Sequence, residues 1–177
     1  MGEESLFNRY AIALLSLAIE KDSTVNFRDE VKQITLILKK NRDFADLLTD
    51  SNYTLEKKFK ILEKVFASIN NDILTYMKII IRNGRGFFLY DIFKETLYRF
   101  DDYLNIEEGT FYCVSTMKEE DIAKALKAVE KKLNKKVECE IVHDDTLLGG
   151  FKLVVKDNVF DASLKTRLAR LKESVKQ

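Results

Sequence analysis

The chain has 177 residues, 46% hydrophobic and 33% charged, with a formal net charge of +1. That balance describes one folded domain or two small ones, and it offers no basic excess for nucleic acid and no acidic tail. Two cysteines and a single histidine exclude a disulfide framework and a zinc site.

Proline is absent, which permits long uninterrupted helices. The apolar stretch from Ala11 to Ile19 follows Glu3, Glu4 and Arg9 and is far too short to span a bilayer. It does not read as a signal peptide. Any work at a membrane is therefore expected to go through a partner.

The first helix is predicted over residues 5–21, with Ser5 as its cap. Tyr10, Leu14 and Leu17 line one stripe, and Ala11, Leu15 and Ala18 line the next. This apolar arc is wider than one core contact needs. Either the helix is buried on two sides, or half the arc is a groove for a partner helix. Residues 24–40 form a second helix capped by Thr24, with Phe27, Val31, Ile34 and Leu38 inward. Residues 41–49 form a short third. Thr54 starts a fourth, with Leu55, Phe59, Leu62, Phe66 and Ile69 on one face. Asn70, Asn71 and Asp72 end it and cap a fifth helix carrying Ile73, Met77, Ile80 and Ile81. The fifth stops at Asn83-Gly84, a good helix C-terminus. The adjacent Ile79, Ile80 and Ile81 again spread apolar surface past one face. The sixth runs from Phe87 to Leu104, and its aromatics Phe87, Phe88, Tyr90, Phe93, Tyr98, Phe100 and Tyr103 read as core.

At Glu107-Glu108-Gly109 the pattern changes from helical to alternating, which marks the expected boundary. Thr110 to Thr116 alternates as a strand. Thr116 to Glu119 has the form of a capping box before a helix with Ile122, Leu126, Val129 and Leu133. Val137 to Val142 is a second strand, parallel to the first through a right-handed crossover. Cys113 and Cys139 alternate with apolar neighbours and read as small core residues. A catalytic cysteine needs a histidine near it, and His143 is the one histidine present. Gly149 and Gly150 then open a strand with Phe151, Leu153 and Val155 on one side. Asp157-Asn158 is a turn, and Asp161 or Ser163 caps a last helix whose Leu164, Leu168, Leu171 and Val175 form a stripe. The expected fold class is α+β: a six-helix bundle over residues 1–106, followed by a small α/β domain over residues 107–177.

No constellation for chemistry emerges, so no catalytic, metal or cofactor site is expected. Asp144-Asp145 reads as a solvated or capping turn. The glycine pair lacks the longer pattern and the Lys-Ser/Thr of a phosphate loop. A small enzyme or nucleotide-binding regulator built on Gly149-Gly150 is the alternative from another class, and a generic helical adaptor is a third.

One resemblance covers nearly the whole chain. Asp144, Leu147, Leu148, Gly149, Gly150, Phe151, Asp157, Asp161, Ser163, Leu164, Arg167 and Leu168 follow, in order, the C-terminal signature of the delta subunit of bacterial F-type ATP synthases. The mitochondrial relative is the oligomycin-sensitivity-conferring protein. His143 stands where that family usually has an aliphatic residue. Arg9-Tyr10-Ala11, Ala13-Leu14 and Ala18 resemble the family's first helix. Asn41, Phe44 and Leu48 resemble its third. Glu56-Lys57-Lys58 resembles the start of the fourth, and Asn83-Gly84-Arg85 the end of the fifth. The resemblance implies a non-catalytic stator subunit that couples ion-driven rotation to ATP synthesis. It would sit peripherally on the cytoplasmic face of the bacterial plasma membrane, reaching the membrane only through the complex. Its N-terminal bundle would grip N-terminal helices of the alpha subunits, and its C-terminal domain the C-terminal helices of the b subunits. For the alpha-subunit groove the resemblance points to Tyr10, Ala13, Leu14 and Leu17 with Met77, Ile80, Ile81 and Gly84. Gly149, Gly150, Phe151, Asp161, Ser163, Leu164 and Leu168 would shape the stalk-binding domain, the leucines mostly as core.

Overall fold

The computed structural model describes residues 3–144 and 146–174. The proline-free first part is helical: α1 (Glu3–Glu20), α2 (Thr24–Lys40), α3 (Asp43–Thr49), α4 (Leu55–Val65), α5 (Asn71–Arg82), a 3-10 turn (Gly86–Phe88) and α6 (Leu89–Tyr103). Their inward stripes meet in one core that includes Leu14, Phe27, Ile34, Leu62, Ile73, Met77, Phe93 and Phe100. Thr54 caps α4 by accepting from the Lys57 N–H, and the Asn70 side chain caps α5 through the Asp72 N–H. Two expected caps are wrong. Ser5 lies inside α1, which begins at Glu3. Position Thr24 is already helical; Ser23 precedes it, and its hydroxyl donates back to the Lys21 carbonyl instead of capping.

The aromatic stripe of α6 is only partly core. Phe93 and Phe100 are fully buried, but Phe87, Tyr98 and Tyr103 are exposed. Phe87 belongs to the 3-10 turn, where Gly86 packs close against Leu48 and starts the chain on a tighter path. Between α2 and α6, Arg28 Nε donates to Asp101 Oδ1 at 2.7 Å, with Arg28 only 2% exposed.

The second part contains β1 (Ile106–Cys113), α7 (Glu119–Leu133), β2 (Lys136–His143), β3 (Phe151–Val155), β4 (Asn158–Asp161) and α8 (Leu164–Ser174). The sheet order is β2-β1-β3-β4. β1 and β2 are parallel, as the strand-helix-strand order predicts, and the other pairings are antiparallel. Phe111, Leu153, Val155 and Val137 pack with Ile122, Ala125 and Val129 of α7 in a second core. The class is thus α+β, and the chain divides into two compact units, one up to Leu104 and one from Asn105.

Four expectations change here. Glu107, Glu108 and Gly109 lie inside β1, because Asn105, at a φ of +54°, turns the chain directly into the strand. The capping box does not form: α7 opens at Glu119 after Lys118, with no side-chain cap. A fourth strand, Asn158–Asp161, occupies the segment read as turn and cap. The turn itself is Lys156-Asp157, with Lys156 at a φ of +48°.

Glu107 is the one acidic side chain of β1 that turns inward among charges. Lys135 Nζ lies 2.5 Å from one carboxylate oxygen and Lys156 Nζ 2.5 Å from the other. Burial alone would raise its pKa, but the two lysines outweigh burial and hold it below the usual glutamate value. A lowered folded pKa contributes stability that is complete above the ordinary glutamate pKa. That contribution is lost as the pH falls through the lowered value. Glu107→Gln is expected to cost about 2 kcal/mol at neutral pH. Urea titrations should show the gap from the parent protein closing on acidification.

Candidate functional site

α1 and α5 run antiparallel. At one end Lys21 reaches Asp72, at 2.5 Å, and at the other the Tyr10 hydroxyl accepts from Asn83 at 2.9 Å and Arg85 at 2.6 Å. Ala11, Leu14 and Ala18 turn α1 into the core, and Ile73, Met77 and Ile80 do the same for α5. Beside those stripes a gap opens between the two helices. Ala13, Leu14, Ser16, Leu17 and Glu20 from α1, with Asp72, Thr75, Tyr76 and Ile79 from α5, line an open groove of about 440 Å³. Its floor is rigid. The Tyr10 ring meets Tyr76 edge-on at 6.1 Å, and Tyr76 meets Phe93 at 5.7 Å. The Arg85 guanidinium covers the Tyr10 ring at 5.3 Å. Burial pushes the Tyr76 phenol well above its usual pKa, so it stays a neutral part of the floor.

α5 ends in a Schellman motif: the Gly84 N–H bonds the Ile81 carbonyl and the Arg85 N–H bonds the Ile80 carbonyl. Gly84 takes a φ of +72°, which is why glycine follows Asn83. This turn aims Arg85 back at Tyr10. The groove is therefore a slot with small and apolar residues along its middle and the carboxylates of Glu20 and Asp72 at one end. A smaller cavity of about 260 Å³ lies between α3 and the start of α6, where Arg42 stacks on Tyr90 at 5.7 Å.

A helical unit followed by a four-stranded α/β unit agrees with the comparisons. The family model for the ATP synthase delta (OSCP) subunit matches residues 6–175. The chain belongs to the ATP synthase delta (OSCP) family. The ATP synthase subunit delta of Bacillus mycoides (strain KBAB4) is 32% identical over 176 residues, 99% of this chain and 98% of the relative. That of Bacillus thuringiensis (strain Al Hakam) is 31% identical over the same span. A chain from the Toxoplasma gondii mitochondrial ATP synthase hexamer shares the fold, with a TM-score of 0.63 at 18% identity, over 97% of this chain and 98% of its own length. The role that follows from delta-family membership is structural, not catalytic: a stator subunit that links the synthase to its peripheral stalk.

Within that family frame, the expected site residues separate. Ala13, Leu14 and Leu17 line the groove and Tyr10 closes one end. Met77 and Ile80 are fully buried and Ile81 nearly so; they support the wall from behind and have no surface to offer. Gly84 is exposed past the end of α5, with open space around it. The outward wall of α5 is Thr75 and Ile79, with Tyr76 in the floor between the helices. A run of three isoleucines does not announce which one faces out. The spacing of Asp72, Thr75, Tyr76 and Ile79, at three, four and seven, marks the second stripe once the buried one is set aside.

In the C-terminal unit, Phe151 stacks on Phe111 at 5.0 Å. The Asp161 carboxylate accepts from the Ser163 N–H and the Thr166 hydroxyl, and Ser163 Oγ accepts from the Thr166 N–H at the start of α8. The Ser163 N–H bond above all keeps the Asp161 carboxyl below its usual pKa. Both candidate caps are thus used. Leu164 and Leu168, expected mostly as core, are 44% and 54% exposed. The Leu171 side chain and Val175 lie outside the described residues. Gly149 accepts from the Leu164 N–H, and Gly150 packs onto Ala162 and Ser163. The chain itself fills the place where a phosphate loop would hold its ligand.

The structure does bring Cys113 Sγ to 3.9 Å from His143 Nδ1. Cys113 is fully buried, and burial raises its pKa, so it remains a thiol and not a nucleophile. Burial, with Glu130 nearby, pushes Cys139 up to about 11. Asp144 accepts from the Thr146 N–H and hydroxyl, a turn cap; Asp145 lies outside the described residues.

Proposed function

We propose that the N-terminal helices act as the six-helix bundle of a stator subunit, spanning residues 1–106, and grip N-terminal helices of the alpha subunits in the α1–α5 groove. The α/β domain, residues 107–177, holds C-terminal helices of the b subunits. The subunit sits peripherally on the cytoplasmic face of the membrane through the complex; among the described residues no helix is long and apolar enough to cross a membrane.

The observation that carries this is the groove. Small Ala13, Ser16 and Thr75 let a helix approach closely, and Leu17 and Ile79 supply the apolar contacts beside it. Ile79 is 43% exposed although it flanks a fully buried Ile80. For the second end, the apolar side chains left open in the C-terminal unit support a docking surface: Leu148, Val159, Leu164 and Leu168. Each end needs only moderate affinity, because two linked attachments hold far better than either alone.

Ala13→Glu and Ile79→Glu each place a charge on the groove wall and are expected to weaken an alpha-subunit N-terminal peptide by about tenfold or more. Their thermal midpoints should stay close to the parent's, since both side chains are exposed. Calorimetric titration beside a melting curve checks this, and unchanged affinity counts against the groove. Ile80→Glu is the wrong probe, because a charge at a fully buried position unfolds the helices first.

A further inference from the structure

Resting on that groove, we infer that it sorts its occupant by charge and seats the helix in one direction. The basic end of the bound helix lies against Glu20 and Asp72, and its acidic end against Arg9 and Arg85. Arg9, Ala13, Ser16 and Glu20 follow one another along a single face of α1 at steps of four, three and four. Asp72, Thr75, Ile79 and Asn83 share a face along α5 at steps of three, four and four. Because the two helices are antiparallel, the chemistry segregates. Both wall carboxylates fall at one end, and Arg85 and the Asn83 amide, bonded to Tyr10, at the other, to which the spacing along α1 also carries Arg9; uncharged residues lie between. Lys21 pairs with Asp72, so the carboxylate end keeps a net negative charge through Glu20. Arg85 is held on the Tyr10 ring and keeps its positive charge at the opposite end.

Among the described lining residues, nothing else chooses a direction. An occupant lying between antiparallel α1 and α5 is parallel to one helix dipole and opposed to the other, so the two dipoles cancel. Side-chain charge decides. Arg9 and Glu20 are about 16 Å apart along the helix axis at 1.5 Å per residue. That exceeds the screening length of about 8 Å at physiological salt, so each end acts on its own. Helices ordinarily carry acidic residues in the first turn and basic ones in the last. Such a helix would run parallel to α1, with its N-terminus at Arg9 and Arg85.

The test uses the full isotope-labelled chain and a synthetic alpha-subunit N-terminal peptide of about 20 residues from the same genome, long enough to cross the groove. A nitroxide is attached to the peptide's more basic end, then in a second sample to the other. With the basic end labelled, the amides of Leu17, Glu20 and Asp72 should broaden most; with the other, those of Tyr10, Asn83 and Arg85. The reverse pattern, or equal broadening at both ends from either label, overturns the inference and leaves the groove standing. Absence of saturable shifts on α1 and α5 overturns the groove itself, and this inference with it. As a second measurement, Glu20→Lys should weaken the peptide about threefold at low salt, with the loss fading at high salt. A salt-independent loss, or none, counts against a charge-sorted seat.

Discussion

Gly150→Ala is expected to destabilise the C-terminal unit by about 3 kcal/mol or more, enough to unfold a unit this small. Two costs coincide at this position. Gly150 adopts a φ of +80°, a conformation that a side chain opposes. A methyl there would also be driven into the Ala162 carbonyl oxygen and lie 3.0 Å from the Ser163 Cα. Both obstacles are backbone, held by the Ala162 N–H to Phe151 carbonyl bond at 2.9 Å, so neither can step aside. The same change at Gly84 is the control. Its φ is +72° but nothing lies within 4 Å, so only the conformational cost remains, about 1 kcal/mol. Gly149 stands between them: its obstacle is the end of the Leu164 side chain, which is half in solvent and free to move. Strand amide signals for the Gly149 and Gly150 variants, and helix amide signals of the N-terminal unit for Gly84, followed through a urea titration would separate the three. A Gly150→Ala chain with parent-like stability would show that the β4–α8 junction yields.

Asp101→Ala is expected to cost the N-terminal unit about 3 kcal/mol or more. Arg28 is almost wholly buried, and removing the carboxylate at 2.7 Å takes a close charged partner from a guanidinium held away from water. Asp29, 3.4 Å away and largely exposed, is too well hydrated to replace it. Removing both charges is different. The double variant Arg28→Met with Asp101→Leu should recover most of the loss, because apolar groups fill the buried site and need no charged partner. Chemical denaturation of the two single variants and the double gives the coupling directly. A double variant as weak as Asp101→Ala would mean that packing around α2 and α6, and not the loss of the buried charge pair, sets the cost.

The helical half was legible because its signals are local. Leu62 and Phe66 repeat at helical spacing and are buried, Thr54 and Asn70 cap where their side chains allow, and Gly84 ends α5 where a left-handed residue is needed. What stayed hidden depends on partners far away in the chain. Asn158–Asp161 looks like turn and cap material, and becomes a strand only because β3 pairs with it residue for residue. The α8 leucines repeat correctly, but periodicity shows which residues share a face, not whether anything covers it. Groove residues failed for a related reason. Ile79, Ile80 and Ile81 are alike in composition and β-branching, and only the packing of α5 separates the one that faces out from the two that are buried.

The lengthwise run of the groove has a mechanical consequence. A rod seated along two antiparallel walls and pulled along its own axis must slide every contact at the same moment, as in a lap joint. The same rod lifted by one tip would peel away one contact after another, at far lower force. A slot about three helical turns long, open along its side, therefore resists traction along its length much better than prying.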